Sequence, residues 1–221
     1  MKKLIKISLI FGGLLLVLLS FIRIYKISDI SMNYMMVDED MVIVENFSAG
    51  VHIPSFFFFL KGHFIDNEKG IERGDIMAFK RHPLDKGLFI KRVVALPGDK
   101  VYQENKDFYL QIGSDREKTV SFGQKYGIAI VQIANEIWLK NPYTHFYGVT
   151  HSNEIIGPSE LITYAPTVIP EHQYFFMGDF RDNSRDSRFF GPVHYNNIYY
   201  KVWYVIKKSH TLTELSSIKQ F

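Results

Sequence analysis

The residue types that are absent from this chain of 221 residues exclude several kinds of catalytic and metal site. The sequence contains no cysteine, which excludes thiol catalysis, thiolate metal ligands and disulfide bonds. Its histidines are scattered without ligand spacing, and it has no HExxH pattern, glycine-rich phosphate loop or GxSxG motif. We therefore expect no metal and no cofactor, and serine, lysine and carboxylate side chains remain as candidates.

Lys91 is the first candidate, because it interrupts an apolar stretch with the pattern of a strand. Within residues 88–95, strand alternation places Lys91 and Arg92 on opposite faces, so one of them must lie on a largely buried side or at the sheet margin. Burial disfavours a charged ammonium group, and a neutral lysine is a competent general base. The alternative is an edge strand from which both cations reach solvent.

A second candidate region is residues 179–188, which hold three aspartates and three arginines directly after an apolar stretch. One interpretation is a solvated turn with exposed ion pairs, each contributing about 0–1 kcal/mol. The other is a hydrogen-bonded network in which Asn183, Ser184 and Ser187 help to fix side chains around a site.

The elements that must position these residues are mostly strands. After residue 27, short segments rich in β-branched and aromatic residues alternate with turn formers, and no long amphipathic helix is predicted. An all-β body is therefore expected, in which residues 113–172 form either an inserted subdomain or a set of long loops. The predicted strands are residues 41–45, 76–80, 88–95, 107–112, 128–133, 174–177 and 198–206.

Residues 1–26 are predicted to be an uncleaved membrane anchor. Residues 7–22 carry no charge, with lysines ahead of them and Arg23 and Lys26 behind. A cleavable signal peptide is the competing interpretation, but residues 20–23 lack the small residues of a cleavage site. The excess of lysines ahead of the segment favours a cytoplasmic N-terminus, with residues 27–221 as the extracytoplasmic domain of a single-pass protein in the inner or plasma membrane.

Two further features concern contacts outside the chain. The four phenylalanines at 56–59 predict either a buried strand or a loop that dips into the lipid surface. The net charge of +3 is too small to indicate nucleic acid as a partner.

Three segments in this order resemble the type I signal peptidases, which are membrane-anchored serine peptidases with a Ser/Lys dyad. They are GDIMAF at 74–79, FIKRVVALPGDKV at 89–101 and MGDFRDNSRDSRFFGPV at 177–193. We call the last two the lysine segment and the acid–arginine segment. The resemblance covers nearly the whole chain after the anchor, and it implies a mostly β, antiparallel, barrel-like catalytic domain with an apolar surface at the membrane.

The resemblance also implies the roles of individual residues. Ser31 is the expected nucleophile and Lys91 the expected general base. The implied substrates are exported precursor proteins, cut close to the membrane after small residues at the first and third positions before the scissile bond. Around the dyad, Ser184 is expected to hydrogen-bond the lysine, Asp186 and Arg188 to brace the site, and Met32 to line the substrate pocket.

The segment around Ser31 departs from the family pattern SMxPT, of which only the Ser-Met pair is kept. Tyr34 and Met35 stand where the family has Pro and Thr, and Phe180 replaces a usual Asn. The departures leave two alternatives to general signal-peptide cleavage. One is a specialised peptidase, such as one that matures the pilin of a conjugation system. The other is a catalytically silent, membrane-tethered β module that binds exported chains or assembly partners.

Asp29 is the departure with the clearest chemical consequence. It occupies the position, two residues before the nucleophile, where the family commonly has Ser or Gly near the oxyanion hole. A carboxylate aimed at a developing oxyanion raises the reaction barrier. The sequence therefore predicts that Asp29 points away from the site, is protonated, or marks an altered function.

Overall fold

Antiparallel strands make up most of the computed structural model, which describes residues 6–8, 11–13, 21–33, 35–53, 63–65, 67–146, 148–209 and 212–214. Three short α-helices, α1 (Arg116–Tyr126), α2 (Ser159–Ile162) and α3 (Ser187–Phe190), lie between the strands. The strands are β1 (Ile22–Lys26), β2 (Met41–Glu45), β3 (Val51–Ile53), β4 (His63–Ile65), β5 (Ile76–Phe79), β6 (Phe89–Ala95), β7 (Lys100–Glu104), β8 (Asp107–Gln111), β9 (Ile130–Ile133), β10 (Glu136–Lys140), β11 (Tyr164–Val168), β12 (Gln173–Met177), β13 (Val193–His194), β14 (Ile198–Ile206) and β15 (Leu212–Glu214).

The larger sheet carries the segments that the sequence singled out. Its strands follow the order β1-β2-β14-β5-β6-β12-β13, and β15 pairs with β14. All four residues of β5 are buried, as expected for a strand covered on both faces. Pairing of β5 with β6 and of β6 with β12 brings the 74–79, lysine and acid–arginine segments side by side.

The smaller sheet is built largely from the region for which the sequence left two interpretations. Its order is β11-β7-β8-β10-β9, so residues 113–172 supply three of its strands and two of the helices. Phe108 and Leu110 of this sheet share a buried cluster with Phe175 and Met177 of the larger sheet. The prediction of an inserted subdomain stays a prediction.

Helix α1 corrects the expectation of an all-β body. Asp115 caps its N-terminus by accepting a hydrogen bond from the Lys118 N–H at 3.0 Å, and Gly127 ends it with a left-handed φ of +64°. Its buried residues are Thr119 and Gly123, which lie against the smaller sheet. These two residues are small, and Phe122 and Tyr126, which pack against the same core, are only partly buried, so the sequence lacks a long apolar 3.6-residue repeat.

The predicted strands are found within one or two residues of their expected ends, and two of them, β2 and β14, match the prediction at both ends. The remaining strands were missed: β7 and β10 have charged residues at both ends, β11 contains Pro166, and several of the others are only two or three residues long. The barrel-like closure is not seen: in the described part of the chain, β1 and β13 end the larger sheet without pairing to each other.

The structure corrects the predicted membrane anchor, residues 1–26, at its last five residues. Residues Ile22–Lys26 form strand β1, which pairs with β2 throughout its length. Helical backbone is described at residues 6–8 and 11–13, and most of the rest of the segment lies outside the described residues. No helix among the described residues is long and apolar enough to cross a bilayer. The phenylalanines at 56–59 also lie outside the described residues.

Candidate active site

Ser31 lies in a turn just after β1, and its backbone is held from two directions. The Asn33 N–H donates to the Ile30 carbonyl at 2.9 Å, which tightens the turn. The Phe180 N–H of the acid–arginine segment donates to the Ser31 carbonyl at 3.0 Å. Ser31 is only 3 % exposed, so the turn presents its hydroxyl inward.

Lys91 lies in β6 and is among the largest fully buried side chains, at 1 % exposure. The edge-strand alternative is therefore wrong, since β6 is paired on both sides and the Lys91 side chain does not reach solvent. Arg92 is buried as well, on the opposite face of the strand.

The side chains of Ser31 and Lys91 meet although 60 residues separate them. Lys91 Nζ donates a hydrogen bond to Ser31 Oγ, and both groups are buried. The nucleophile and base predicted from the sequence are therefore in direct contact. Serine and lysine in this arrangement can perform nucleophilic acyl transfer, in which the amine takes the hydroxyl proton.

Asp29 is the third member of this contact, and it points into the site. Its Oδ2 accepts from Ser31 Oγ at 2.6 Å and from Lys91 Nζ at 3.2 Å, and its Oδ1 accepts from the Ser31 backbone N–H at 3.1 Å. The Asp29 side chain is 60 % exposed, in contrast to the two residues that it contacts. Asp29 therefore stands at the mouth of the site.

Two of the three alternatives for Asp29, that it points away from the site or is protonated, are wrong, and an altered function stays a prediction. Burial raises its pKa, but the charge of Lys91 and the hydrogen bonds from Ser31 lower it by more, so the pKa of Asp29 lies below its ordinary value. The carboxylate is therefore ionised at neutral pH while it lies beside the predicted nucleophile.

Arg92 of the lysine segment forms hydrogen bonds with both of the other segments that resemble the signal peptidases. Its Nε and Nη2 donate to the two carboxylate oxygens of Asp179 at 2.7 and 2.6 Å, and its Nη1 donates to the Gly74 carbonyl at 2.8 Å. Arg92 and Asp179 are both buried, so this is a bidentate, desolvated ion pair. It fixes β6 and the chain that follows β12 relative to the 74–79 segment.

Asp186 and Arg188 form a second buried pair in the acid–arginine segment. Arg188 Nε and Nη2 donate to Asp186 at 2.9 and 2.8 Å. Asp186 Oδ2 also accepts from the Gly178 N–H at 3.0 Å, next to the backbone that holds Ser31. Burial raises the pKa of Asp186, but the charge of Arg188, its hydrogen bonds and the Gly178 N–H bring this pKa below the ordinary value. The solvated-turn interpretation is therefore wrong at this pair.

The other two predicted site residues lie close to the dyad without the expected contacts. Ser184 is buried beside Gly178, while Lys91 Nζ bonds to Ser31 and Asp29, and no Ser184–Lys91 bond forms among the described residues. Met32 is buried in an apolar cluster, where its sulfur accepts from the Asp179 N–H at 3.3 Å. The roles predicted for Ser184 and Met32 stay predictions.

A cleft of about 550 Å³ is lined by sequence neighbours of two site residues, whereas Asp29, Ser31 and Lys91 themselves do not line it. Ser28 and Ile90, the sequence neighbours of Asp29 and Lys91, are among its lining residues. The cleft is also lined by three tyrosines and three lysines, namely Tyr25, Tyr199, Tyr200, Lys26, Lys80 and Lys86.

Gly178 and Asp179 were not singled out as site residues by the sequence. A Cβ on Gly178 would lie 2.5 Å from the Ser31 carbonyl oxygen and would also collide with the Ser184 side chain, so only glycine fits. The sequence signal available for Gly178 is its position directly before the cluster of aspartates and arginines. Asp179 is distinguished from the other aspartates of that cluster only by its pairing with Arg92.

Comparison with known proteins relates this chain to signal peptidases. The family model described as "Signal peptidase, peptidase S26" matches residues 1–206. A signal peptidase I of Helicobacter pylori is 29% identical over 223 residues, covering 86% of this chain and 77% of that protein. A signal peptidase I of Rickettsia typhi is 32% identical over 189 residues, covering 80% of this chain and 70% of that protein. A crystal structure of a signal peptidase I from Enterococcus faecalis aligns with a TM-score of 0.30 at 23% identity, over 58% of this chain and 92% of that one, which is too low to bear on the fold.

A buried serine–lysine contact within antiparallel sheets, together with a family match over most of the chain, defines a serine endopeptidase. The chain belongs to the signal peptidase family, peptidase S26.

Proposed function

We propose that this chain cleaves signal peptides from exported precursor proteins, with Ser31 as nucleophile and Lys91 as general base. The observation that carries the proposal is the hydrogen bond between Lys91 Nζ and Ser31 Oγ, because it joins a hydroxyl and a buried amine from distant parts of the sequence. The relatives named signal peptidase I support the choice of substrate.

In the proposed mechanism, the neutral amine of Lys91 takes the proton of Ser31 Oγ, which attacks the carbonyl carbon of the scissile bond. The tetrahedral intermediate collapses to an ester on Ser31, and the leaving amine of the mature protein takes the proton from Lys91. Water then attacks the ester with Lys91 again as base, which releases the signal peptide with a free carboxylate. The Ser31 backbone N–H is the available donor for the oxyanion, once it is freed from Asp29.

The residues around the dyad hold this geometry in the proposal. The Asp186–Arg188 pair braces the backbone at Gly178, and the Arg92–Asp179 pair fixes β6 beside it. The cleft beside Ser28 and Ile90 is proposed to receive the precursor chain, with small residues packed near the dyad.

The experiment that tests this function measures cleavage of a precursor with alanine at the first and third positions before the scissile bond. Ser31→Ala and Lys91→Ala are each expected to abolish product formation. Ser121→Ala and Lys125→Ala, which make the same changes on the exposed face of α1, are the controls and are expected to cleave normally. Full activity of Ser31→Ala would refute the proposed nucleophile, and inactivity of the unaltered chain toward every such precursor would favour the silent binding module.

We also propose that the apolar stretch before β1 anchors the chain in the inner or plasma membrane, with its N-terminus in the cytoplasm. This places enzyme and precursor in the same bilayer, which raises their effective concentration. The test is alkaline extraction of membranes: the full chain is expected to stay in the pellet, and its release would contradict an integral anchor. Specialisation for one precursor, such as a pilin, stays a prediction.

A further inference from the structure

The three groups at the site have a proton arrangement that does not match the proposed reaction. A carboxylate only accepts hydrogen bonds, so the Ser31 hydroxyl, whose oxygen lies 2.6 Å from Asp29 Oδ2, directs its single proton to Asp29. Lys91 Nζ is then a donor to both Ser31 and Asp29. In the proposed mechanism the Ser31 proton must instead face the lone pair of Lys91.

Asp29 also occupies the position that the scissile carbonyl must take. Its Oδ1 accepts from the Ser31 backbone N–H, which is the donor proposed for the oxyanion. An ionised carboxylate at this point repels a developing oxyanion. In addition, a negative charge beside an amine favours the protonated amine, whereas the mechanism needs the neutral one.

We propose that Asp29 is a restraint on the dyad, which holds Ser31 and Lys91 in a resting arrangement until a bound substrate displaces it. This inference rests on the proposed function. The exposure of Asp29 is what makes displacement feasible: its side chain is 60 % exposed, so water can solvate the carboxylate after it leaves the Ser31 N–H. The scissile carbonyl then takes over that N–H, and the Ser31 proton can turn to Lys91.

Acid does not release this restraint. The pKa of Asp29 lies below its ordinary value, so the carboxyl group becomes neutral only in strong acid, where a lysine amine is protonated and cannot act as a base. Lys91 of β6 is the charged group that contacts Asp29 among the described residues. Of the lysines that line the cleft, Lys26 pairs with Glu39, and neither Lys80 nor Lys86 forms an ion pair with Asp29 in the described part of the chain. Release must therefore come from the substrate.

The test compares the unaltered full chain with Asp29→Asn and Asp29→Ser, using the alanine-bearing precursor peptide in detergent. Both variants are expected to raise kcat/KM at pH 7 about tenfold or more. Both should also shift the rise in activity to lower pH, because the negative charge beside the proposed base is gone. Asp38→Asn removes the same charge from an exposed position without touching the dyad, and it is expected to match the unaltered chain.

The outcomes separate this inference from the proposed function. Cleavage by the unaltered chain, with kcat/KM and pH profile unmoved in both variants, overturns the restraint and leaves the dyad intact. Lower activity in both variants, at an unchanged thermal midpoint, overturns the restraint and makes Asp29 a contributor to catalysis. No cleavage by the unaltered chain or either variant overturns the proposed function and this inference together.

Discussion

Lys91 and Arg92 are neighbours in β6 and are almost equally buried, at 1 % and 3 % exposure, yet their partners differ in kind. Arg92 faces Asp179, which is buried completely and accepts two hydrogen bonds from it. Lys91 faces Asp29, a carboxylate that is mostly exposed, and the hydroxyl of Ser31.

The difference between these two cations separates a structural role from a chemical one. When both members of an ion pair are buried, removal of either leaves an unpaired charge without solvent, so neither can change its partner or its protonation. When the counter-ion is exposed, water can replace the cation as its partner, and the pair can open at low cost. Arg92 is therefore expected to hold the fold, whereas the partner of Lys91 can be exchanged.

The largest expected loss of activity comes from replacing Lys91 with methionine. Lys91→Met is expected to reduce precursor cleavage at least about 10³-fold, because it removes the proposed base. Its free energy of unfolding should be unchanged or higher, since methionine fills the same volume and Asp29 is free to be solvated. Urea denaturation and cleavage assays on the same preparations measure both quantities.

Arg92→Met supplies the contrast to Lys91→Met. It should lower the free energy of unfolding by about 3–5 kcal/mol, because Asp179 is left buried and unpaired. If Lys91→Met proved as destabilising as Arg92→Met, the proposed division between the two cations would be wrong.

Asp186→Asn tests whether the buried Asp186–Arg188 pair stabilises the fold in the way expected of Arg92 and Asp179. Loss of the charge that pairs with Arg188 is expected to lower the free energy of unfolding at pH 7 by about 3–5 kcal/mol. The pKa of Asp186 is lowered in the folded chain, so its stabilisation is fully present above the unfolded value of about 3.9 and is lost as pH falls through the folded value. Urea titrations between pH 7 and pH 2.5 measure how the free energy of unfolding falls in acid. This fall should be smaller in the variant than in the unaltered chain, and an equal fall would contradict this role.

Gly178→Ala tests the backbone contact that joins the structural pairs to the reactive group. The added methyl group meets the Ser31 carbonyl and the Ser184 side chain, so the turn that carries Ser31 must shift. We expect a loss of about 1–3 kcal/mol in stability from overpacking, together with a loss of activity of up to about 10²-fold from misplacement of the nucleophile. Gly87→Ala adds the same methyl group where no atom lies within 4 Å, and its stability should match that of the unaltered chain. Normal stability and activity of Gly178→Ala would show that this close contact is dispensable.

The smallest effect is expected at an exposed ion pair. Lys100 Nζ lies 2.6 Å from Glu136, but the two side chains are 21 % and 47 % exposed. Glu136→Gln should change the free energy of unfolding by less than about 1 kcal/mol, because solvent screens the pair. A loss comparable to that of Asp186→Asn, measured by the same urea titration, would mean that burial of the counter-ion is not what distinguishes the pairs.

The sequence by itself determined the parts that depend on local pattern. Strands β2 and β14 have runs of β-branched and aromatic residues, which favour extended backbone wherever they stand, and both match their predicted ends. The placement of Lys91 and Arg92 on opposite faces followed from the two-residue period of a strand. Resemblance to a family supplied Ser31 and Lys91 as a pair, because that inference needs only the residues and their order.

Only the tertiary structure decided the contacts between segments that are far apart along the chain. The pairing of Arg92 with Asp179, rather than with another aspartate of the acid–arginine segment, depends on how β12 aligns with β6. Helix α1 buries Thr119 and Gly123, which carry no apolar signal, while its Phe122 and Tyr126 are only partly buried. The direction of Asp29 depends on what lies opposite it, because a carboxylate at the protein surface turns toward whichever donors the fold brings within reach, and here these donors are Ser31 and Lys91.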